Sequence, residues 1–373
     1  MRIVCAPDSF KESLSAREAA DAMARGIRRV IDADIMLVPM ADGGEGTAQS
    51  VCDALGGQLR RARVTGPLGE SVEAHYALAG DVAVVECAQA CGLDLVPEDQ
   101  RNPLRTTTRG VGELIAHAID AGASTVIVGL GGSATNDGGA GLIAGLGGRV
   151  LTATGDPIDD GAAALADAAR IELPDLSGIT LRVACDVDNP LLGERGASAV
   201  FGPQKGASPE QVSELDALLR DYSTLFDADP ETPGAGAAGG LGFALLALGA
   251  RLEPGVRIVA DTVDLAEKVA GADLVLVGEG SIDSQTLSGK TPAGVAEIAR
   301  AAGAAVIAFA GRVADEEELA HLFDAVIPIV PGPCTLAEAK AAAADNLEAA
   351  VARVMRLLAE TVHRPERVDT ERA

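Results

Sequence analysis

Short apolar runs that do not alternate with polar residues constrain this chain more than any other feature. They read RIVCA (2–6), IMLVPM (35–40), VAVVECA (82–88), TVIVG (125–129), TLRVAC (180–185), DLVLVG (273–278), AAVIAFA (304–310) and AVIPIV (325–330). Four to six consecutive apolar residues need cover on both faces, as strands of a parallel sheet do. Between these runs, the stretches 16–30, 111–121, 209–226, 292–302 and 336–361 repeat apolar residues at helical period. Strand and helix in turn predict an α/β protein with a largely parallel sheet. Two helix starts are signalled outright, by Ser15 with Glu18 and by Thr335 with Glu338, the spacing of a capping box.

One region departs from this rhythm. Around residues 63–87 the segments RARVTG, SVEAHYALAG and DVAVVECA are separated by Gly-containing turns, which predicts an antiparallel meander. Plain alternation returns near residue 265. The expected organisation is a discontinuous first domain, 1–62 plus 265–373, with a second α/β domain, 63–264, inserted into it. The last twelve residues, VHRPERVDTERA, read as a solvated tail.

Composition limits the partners. The formal net charge is −25, which argues against nucleic acid and anionic membrane, yet allows a small anion at a locally basic site. No apolar run is long enough to span a bilayer. The N-terminus MRIVCAPD meets an acid before an apolar region develops, so no secretory signal is expected. Aromatic residues make up 2% of the chain and Trp is absent, so Ala, Val, Leu and Ile must fill the core. Most of the six cysteines lie in or beside apolar runs, as reduced core thiols of a cytosolic protein do. Cys87 and Cys91 have no second pair to complete a zinc site.

Chemistry gathers where the runs end. After the first come Asp8, Ser9, Lys11 and Ser13; after the second, Asp42, Gly43, Gly44, Glu45 and Thr47. TVIVG leads into GLGGSATNDGGAGL (129–142), with six glycines in fourteen residues and Ser133, Thr135, Asn136 and Asp137 among them. TLRVAC leads to Asp186, Asp188 and Asn189, and DLVLVG to Glu279, Asp283, Gln285, Ser288 and Lys290. Ligands of open α/β sheets bind beyond the carboxyl ends of strands, and five such ends favour a shared cleft over five solvated turns. A glycine loop before a helix suits an anion, because bare backbone lets several N–H groups converge on it. A single loop of this kind serves equally well for turns and close packing. Generic nucleotide templates fit poorly. GLGGSA (129–134) lacks an acid at the end of a second strand, GAGAAG (234–239) follows no strand, and SQTLSGKT (284–291) has Ser where a P-loop begins with Gly.

The chain has only five lysines, at 11, 205, 268, 290 and 340. Lys11, Lys205 and Lys290 stand in short polar segments, where a compact charge suits a phosphate oxygen. Each alone reads as a solvated loop residue; the set is what points to phosphate. Acid-rich loops without a transition-metal ligand cluster point to Mg²⁺, a hard cation held by one or two carboxylates, water and phosphates. His75, His117, His321 and His363 lie in none of these loops, and there is no G-x-S-x-G elbow. A carboxylate base with positioned phosphates fits phosphoryl transfer.

APDSFKESLSA (6–16), ADGGEGT (41–47), GLGGSATNDGGAG (129–141), ACDVDNPLLGERGASAVFGPQKGA (184–207), GAAGGLGFAL (236–245) and GEGSIDSQTLSGKTP (278–292) together resemble the signature segments of the type-1 glycerate kinases. These are bacterial ATP-dependent enzymes that phosphorylate D-glycerate. The resemblance runs in order from residue 1 to about 360. It implies a Rossmann-like or flavodoxin-like parallel-sheet domain built from both chain ends, an inserted second α/β domain, and an active site in the cleft between them. It further implies ATP and Mg²⁺, a cytoplasmic enzyme, and 2-phosphoglycerate as the preferred product. On this basis Asp188 is expected as general base, Asp42 or Asp186 as the magnesium ligand, and Lys11, Lys205 and Lys290 as cations on the transferring phosphoryl group. Asp8, Ser9, Gly132, Ser133, Thr135, Asn136, Asp137, Glu279, Asp283 and Gln285 are expected to bind substrate or phosphate. One departure is Ser281, where many members carry Arg after Gly-Glu-Gly; a task of that Arg in holding phosphate or carboxylate falls here to a neighbour or is absent.

Two rival classes make different expectations. A nicotinamide-dependent dehydrogenase using GLGGSA would bind reduced cofactor and consume no ATP, and a non-catalytic sensor of kinase-like fold would bind without turnover. The intact run of acids and lysines disfavours the sensor. Oligomeric state is left open, a homodimer included.

Overall fold

The computed structural model describes residues 1–283, 286, 290–314, 319 and 321–362, the last three as backbone only. Its strands, in chain order, are β1 (Arg2–Cys5), β2 (Asp34–Leu37), β3 (Gln58–Thr65), β4 (Ser71–Ala79), β5 (Val82–Glu86), β6 (Thr125–Gly129), β7 (Arg149–Leu151), β8 (Arg170–Glu172), β9 (Thr180–Ala184), β10 (Arg251–Glu253), β11 (Leu274–Ile282), β12 (Ala305–Val313) and β13 (Ala325–Pro328). All eight apolar runs are strands.

The chain divides into two units, one made of Met1–Ala41 with the chain from Ala260 onward, the other of Asp42–Val259. These bounds correct the expected ones, 1–62 plus 265–373 and 63–264. The change in sequence texture begins only where strands turn antiparallel. The helix Thr47–Leu55 already packs on β3, β4 and β5, so residues 42–62 belong with the second unit. Gln285 lies outside the described residues.

The first unit is built on a five-stranded sheet in the order β13-β12-β11-β1-β2, every pair parallel. From β1 the chain moves outward to β2; from β11 it moves the other way, to β12 and β13. The strand order therefore reverses between β1 and β11, the place where open α/β sheets generally bind ligands. Ile3, Met23, Ile27, Leu276, Phe309 and Val351 are in the core. The helix Ala16–Arg28 starts on the expected capping box, with Ser15 accepting from the Glu18 amide. It runs against the helix Ala343–Val362 so closely that a Cβ on Gly26 would come within 2.6 Å of the Glu348 carbonyl oxygen and 2.8 Å of Val351 Cβ.

The second unit has a six-stranded mixed sheet, β10-β9-β6-β5-β4-β3. Strands β10, β9, β6 and β5 run parallel, while β5-β4-β3 is the expected antiparallel meander. A separate antiparallel pair, β7-β8, has three-residue strands too short to leave a periodic signal. Leu114, Ile115, Val126, Val128, Leu142 and Phe243 are fully buried in the core. A third capping box, Ser208 with Gln211, begins the helix Pro209–Ser223.

Gly26→Ala tests the helix contact in the first unit. Ala is the better helix former by about 1 kcal/mol, but its methyl group must displace backbone, and overpacking of this kind costs about 1–3 kcal/mol. The urea midpoint of the variant is expected to fall; a rise would mean that the helices separate freely.

Candidate active site

In the second unit four stretches of chain meet with no room for a further side chain between them. A Cβ on Gly129, the last residue of β6, would lie 2.2 Å from the Gly43 carbonyl oxygen. One on Gly43 would lie 2.3 Å from Ala184 Cβ at the end of β9, and one on Gly255 only 1.7 Å from the Asp42 carbonyl oxygen. No side chain fits at these distances, so glycine is what allows the 42–44 turn to rest on the ends of β6 and β9. Beside this contact lies a hollow of about 280 Å³, lined by Asp42, Gly132, Ser133, Asp186, Gln204 and Lys205 among others.

The acids of the hollow face one another electrostatically. Asp42 Oδ1 accepts the Gly44 N–H at 2.9 Å, and Asp186 Oδ1 accepts the Gly255 N–H at 3.0 Å. Burial pushes the Asp186 carboxyl up to about 6, opposed by the Gly255 amide and assisted by the like charge of Asp42. Among the described residues neither second oxygen is engaged. A pair of repelling carboxylates with free oxygens suits a cation that takes its other ligands from water and phosphate, as Mg²⁺ does. No group of three or more His, Cys, Asp or Glu among the described residues could enclose a metal by itself.

Lys205 supplies the opposite charge. It ends the short helical turn Pro203–Lys205 and is 2% exposed. Its ammonium donates to Thr135 O at 2.7 Å and to Ser133 Oγ at 3.0 Å, so it pins the glycine loop from beneath. Burial lowers its pKa to about 8, against the pull of Cys91, Cys87 and Asp137.

The rest of that loop turns inward. Thr135, Asn136 and Asp137 are fully buried. Asn136 Nδ2 donates to Ser198 Oγ at 3.0 Å. The Asp137 carboxylate accepts from the Thr108 amide and hydroxyl, both at 2.8 Å, and from the amides of Gly139 and Gly141 at 3.1 and 3.2 Å. The helix Ala140–Gly145 was expected to turn its N-terminus toward a bound anion; the anion it meets is Asp137 of the chain itself. Asp137 therefore stands as a brace of the loop, not as a ligand contact, and of the expected loop residues only Gly132 and Ser133 face the hollow. A left-handed run, Ala238 to Gly240, seats against the same loop, with Gly138 N donating to Gly239 O at 3.0 Å.

Asp188, the expected base, does not line the hollow. Its side chain is 76% exposed and accepts from Arg195 Nη2 at 2.9 Å.

The remaining expected residues, Gln285 apart, lie in the first unit on the segments that follow β1 and β11. Asp8 accepts from the Ser9 amide at 2.6 Å and from the Thr291 hydroxyl. Glu279 accepts from Thr286 Oγ1 at 3.0 Å. Burial pushes Glu279 up to about 7; Lys290 and Thr286 oppose the shift, and Asp8 and Asp283 add to it. Lys290 is the cap residue of the helix Thr291–Ala301, and Lys11 is exposed on the loop after β1. Ser281, the departure noted above, stands opposite Arg312 in the β11–β12 register, and its buried hydroxyl has no partner among the described residues.

Glu86 and Gly255 were missed. Glu86 is hidden at the end of an apolar run, and Gly255 gains its meaning only from what touches it.

Comparison with known proteins places the chain in a family. The model of the glycerate kinase family matches residues 3–359. A glycerate kinase of Bacillus subtilis is 50% identical, over 93% of this chain and 95% of its own. The glycerate 2-kinase of Escherichia coli is 47% identical, again over 93% and 95%. A Salmonella typhimurium LT2 protein, crystallised as a candidate glycerate kinase 2, superposes with a TM-score of 0.90 at 47% identity, covering 98% of this chain and all of that one. With acids, lysines and glycines of the right kinds at its strand ends, this chain belongs to the glycerate kinase family, ATP-dependent enzymes that phosphorylate glycerate.

Proposed function

We propose that the chain transfers the γ-phosphoryl group of ATP to the 2-hydroxyl of D-glycerate, with Mg²⁺ as the assisting cation. The observation that carries this is the Asp42–Asp186 pair, which shares one hollow with Lys205 and the glycine loop. The relative from E. coli named glycerate 2-kinase supports the choice of hydroxyl. Asp42 and the nucleotide phosphates would hold the ion, which when bound neutralises phosphate charge and orients the reacting group. Asp186 replaces Asp188 as the proposed proton acceptor, because it lines the hollow and its carboxyl titrates near neutrality. The glycerate oxygen bonds the γ-phosphorus, the bond to the ADP oxygen breaks, and the hydroxyl proton passes to Asp186. Lys205 holds Ser133 and Thr135 in place and adds positive charge beneath the loop. Lys11 and Lys290 are proposed as further cations for substrate phosphates. Six free cysteines support a reducing, cytoplasmic setting.

Purified protein given ATP, Mg²⁺ and D-glycerate is expected to release ADP in a coupled assay and to yield 2-phosphoglycerate by ³¹P NMR. A 3-phospho product would overturn the regiochemistry, and full turnover in excess EDTA would overturn the magnesium.

The two shifted groups fix the pH profile. A base must be deprotonated, so kcat/KM is expected to fall below about pH 6 as Asp186 takes up a proton. A lysine must stay charged, so the rate is expected to fall again above about pH 8 as Lys205 loses one. Lys205→Met should remove the alkaline limb, and Asp186→Asn should lower kcat by about 10²–10⁴-fold, the usual scale for general base catalysis. A flat profile between pH 5 and 9 would exclude both roles.

A further inference from the structure

Glu86 is 5% exposed, carries a carboxylate, and has no part in the chemistry described so far. It ends β5, beside Gly129 in the β5–β6 register. Its Oε1 accepts the Ala48 N–H at 2.8 Å, and the nearby Gly46 amide helps to stabilise its charge. Those amides belong to the start of the helix Thr47–Leu55, whose cap residue, Gly46, has a left-handed backbone and no side chain to offer. The helix therefore takes its N-terminal cap from another strand. A negative charge there also meets the positive end of the helix dipole.

The cap leads back to the hollow. Thr47, itself 1% exposed, donates from Oγ1 to Gly44 O at 2.8 Å, and Gly44 N donates to Asp42 Oδ1 at 2.9 Å. Glu86 thus holds Ala48, which fixes the adjoining Thr47, Thr47 holds Gly44, and Gly44 orients the Asp42 carboxylate. We propose that Glu86 is a positioning residue for the phosphoryl transfer, fixing the Asp42 carboxylate in the hollow through the Thr47–Gly44 turn. The inference rests on the proposed role of Asp42. Burial raises the Glu86 pKa, the amides of Ala48 and Gly46 and the charge of His75 oppose this, and Glu45 adds repulsion. Burying a carboxylate is expensive unless donors satisfy it, and here the donors are the turn itself.

The test compares Glu86→Ala, Glu86→Gln and Thr47→Val with the wild type, by steady-state kinetics and by amide hydrogen exchange of the metal-free protein. Glu86→Ala is expected to lower kcat at least tenfold with the KM for glycerate changed less than threefold. Exchange at Gly44, Gly46 and Ala48 should accelerate at least tenfold while the helix Arg109–Asp120 keeps its protection. Glu86→Gln, which keeps an acceptor oxygen, is expected to recover most of both. Thr47→Val keeps the shape and removes the short hydroxyl bond to Gly44 O, leaving only the longer Thr47 N–H contact at 3.3 Å, so it should lose kcat even if Glu86→Ala does not fold. Wild-type kcat in Thr47→Val, or exchange that rises across the whole unit in step with lost kcat, would overturn the positioning role. Absence of glycerate-dependent ADP release by the wild type would count against the proposed reaction instead, and exchange at the turn would still report on the cap.

Discussion

The second unit depends on backbone lying directly on backbone at Gly43, Gly129 and Gly255. A methyl group at any of these would push the 42–44 turn off the strand ends. The closeness matters because hydrogen bonds then set the acids: Gly44 and Gly255 donate to Asp42 and Asp186 from fixed amides. Charge is positioned by peptide geometry, which loses little entropy when a ligand arrives.

Electrostatics divide along the same lines. Each unit carries a group of acids at strand ends with one partly desolvated member raised toward neutrality, Asp186 in one and Glu279 in the other, and each has a lysine near it. The net charge of −25 therefore leaves room for locally positive sites, at Lys205 in one unit and Lys290 in the other. Lys205 serves two ends at once. It satisfies Ser133 and the Thr135 carbonyl, and it leaves an ammonium at the wall of the hollow.

The strands were legible because buried parallel strands must be apolar throughout, and TVIVG matches β6 residue for residue. The capping boxes at Ser15 and Thr335 were legible because they are local in sequence. Domain bounds were not, since residues 42–62 declare their allegiance only by packing on β3 to β5. The acid at Asp42 was visible as a strand-end residue, but the roles of its neighbours were not. Asp137 looks like any loop acid until Thr108, Gly139 and Gly141 are seen to saturate it. Asp188 and Asp186 are equivalent in sequence, yet only Asp186 lines the hollow, while Asp188 pairs with Arg195. Glu86 passed as part of an apolar run, because nothing local says that a helix begun forty residues earlier will place its amides there.

The most direct test of the account locates the cation. Backbone NMR of the protein with a non-hydrolysable ATP analogue and Mn²⁺ in place of Mg²⁺ reports which amides lie near the bound ion, through paramagnetic broadening. The account predicts that the signals of Gly43, Gly44, Gly131 and Gly255 disappear first, and that Asp42→Asn restores them. Full intensity at these four amides, with broadening elsewhere in the chain, would contradict it.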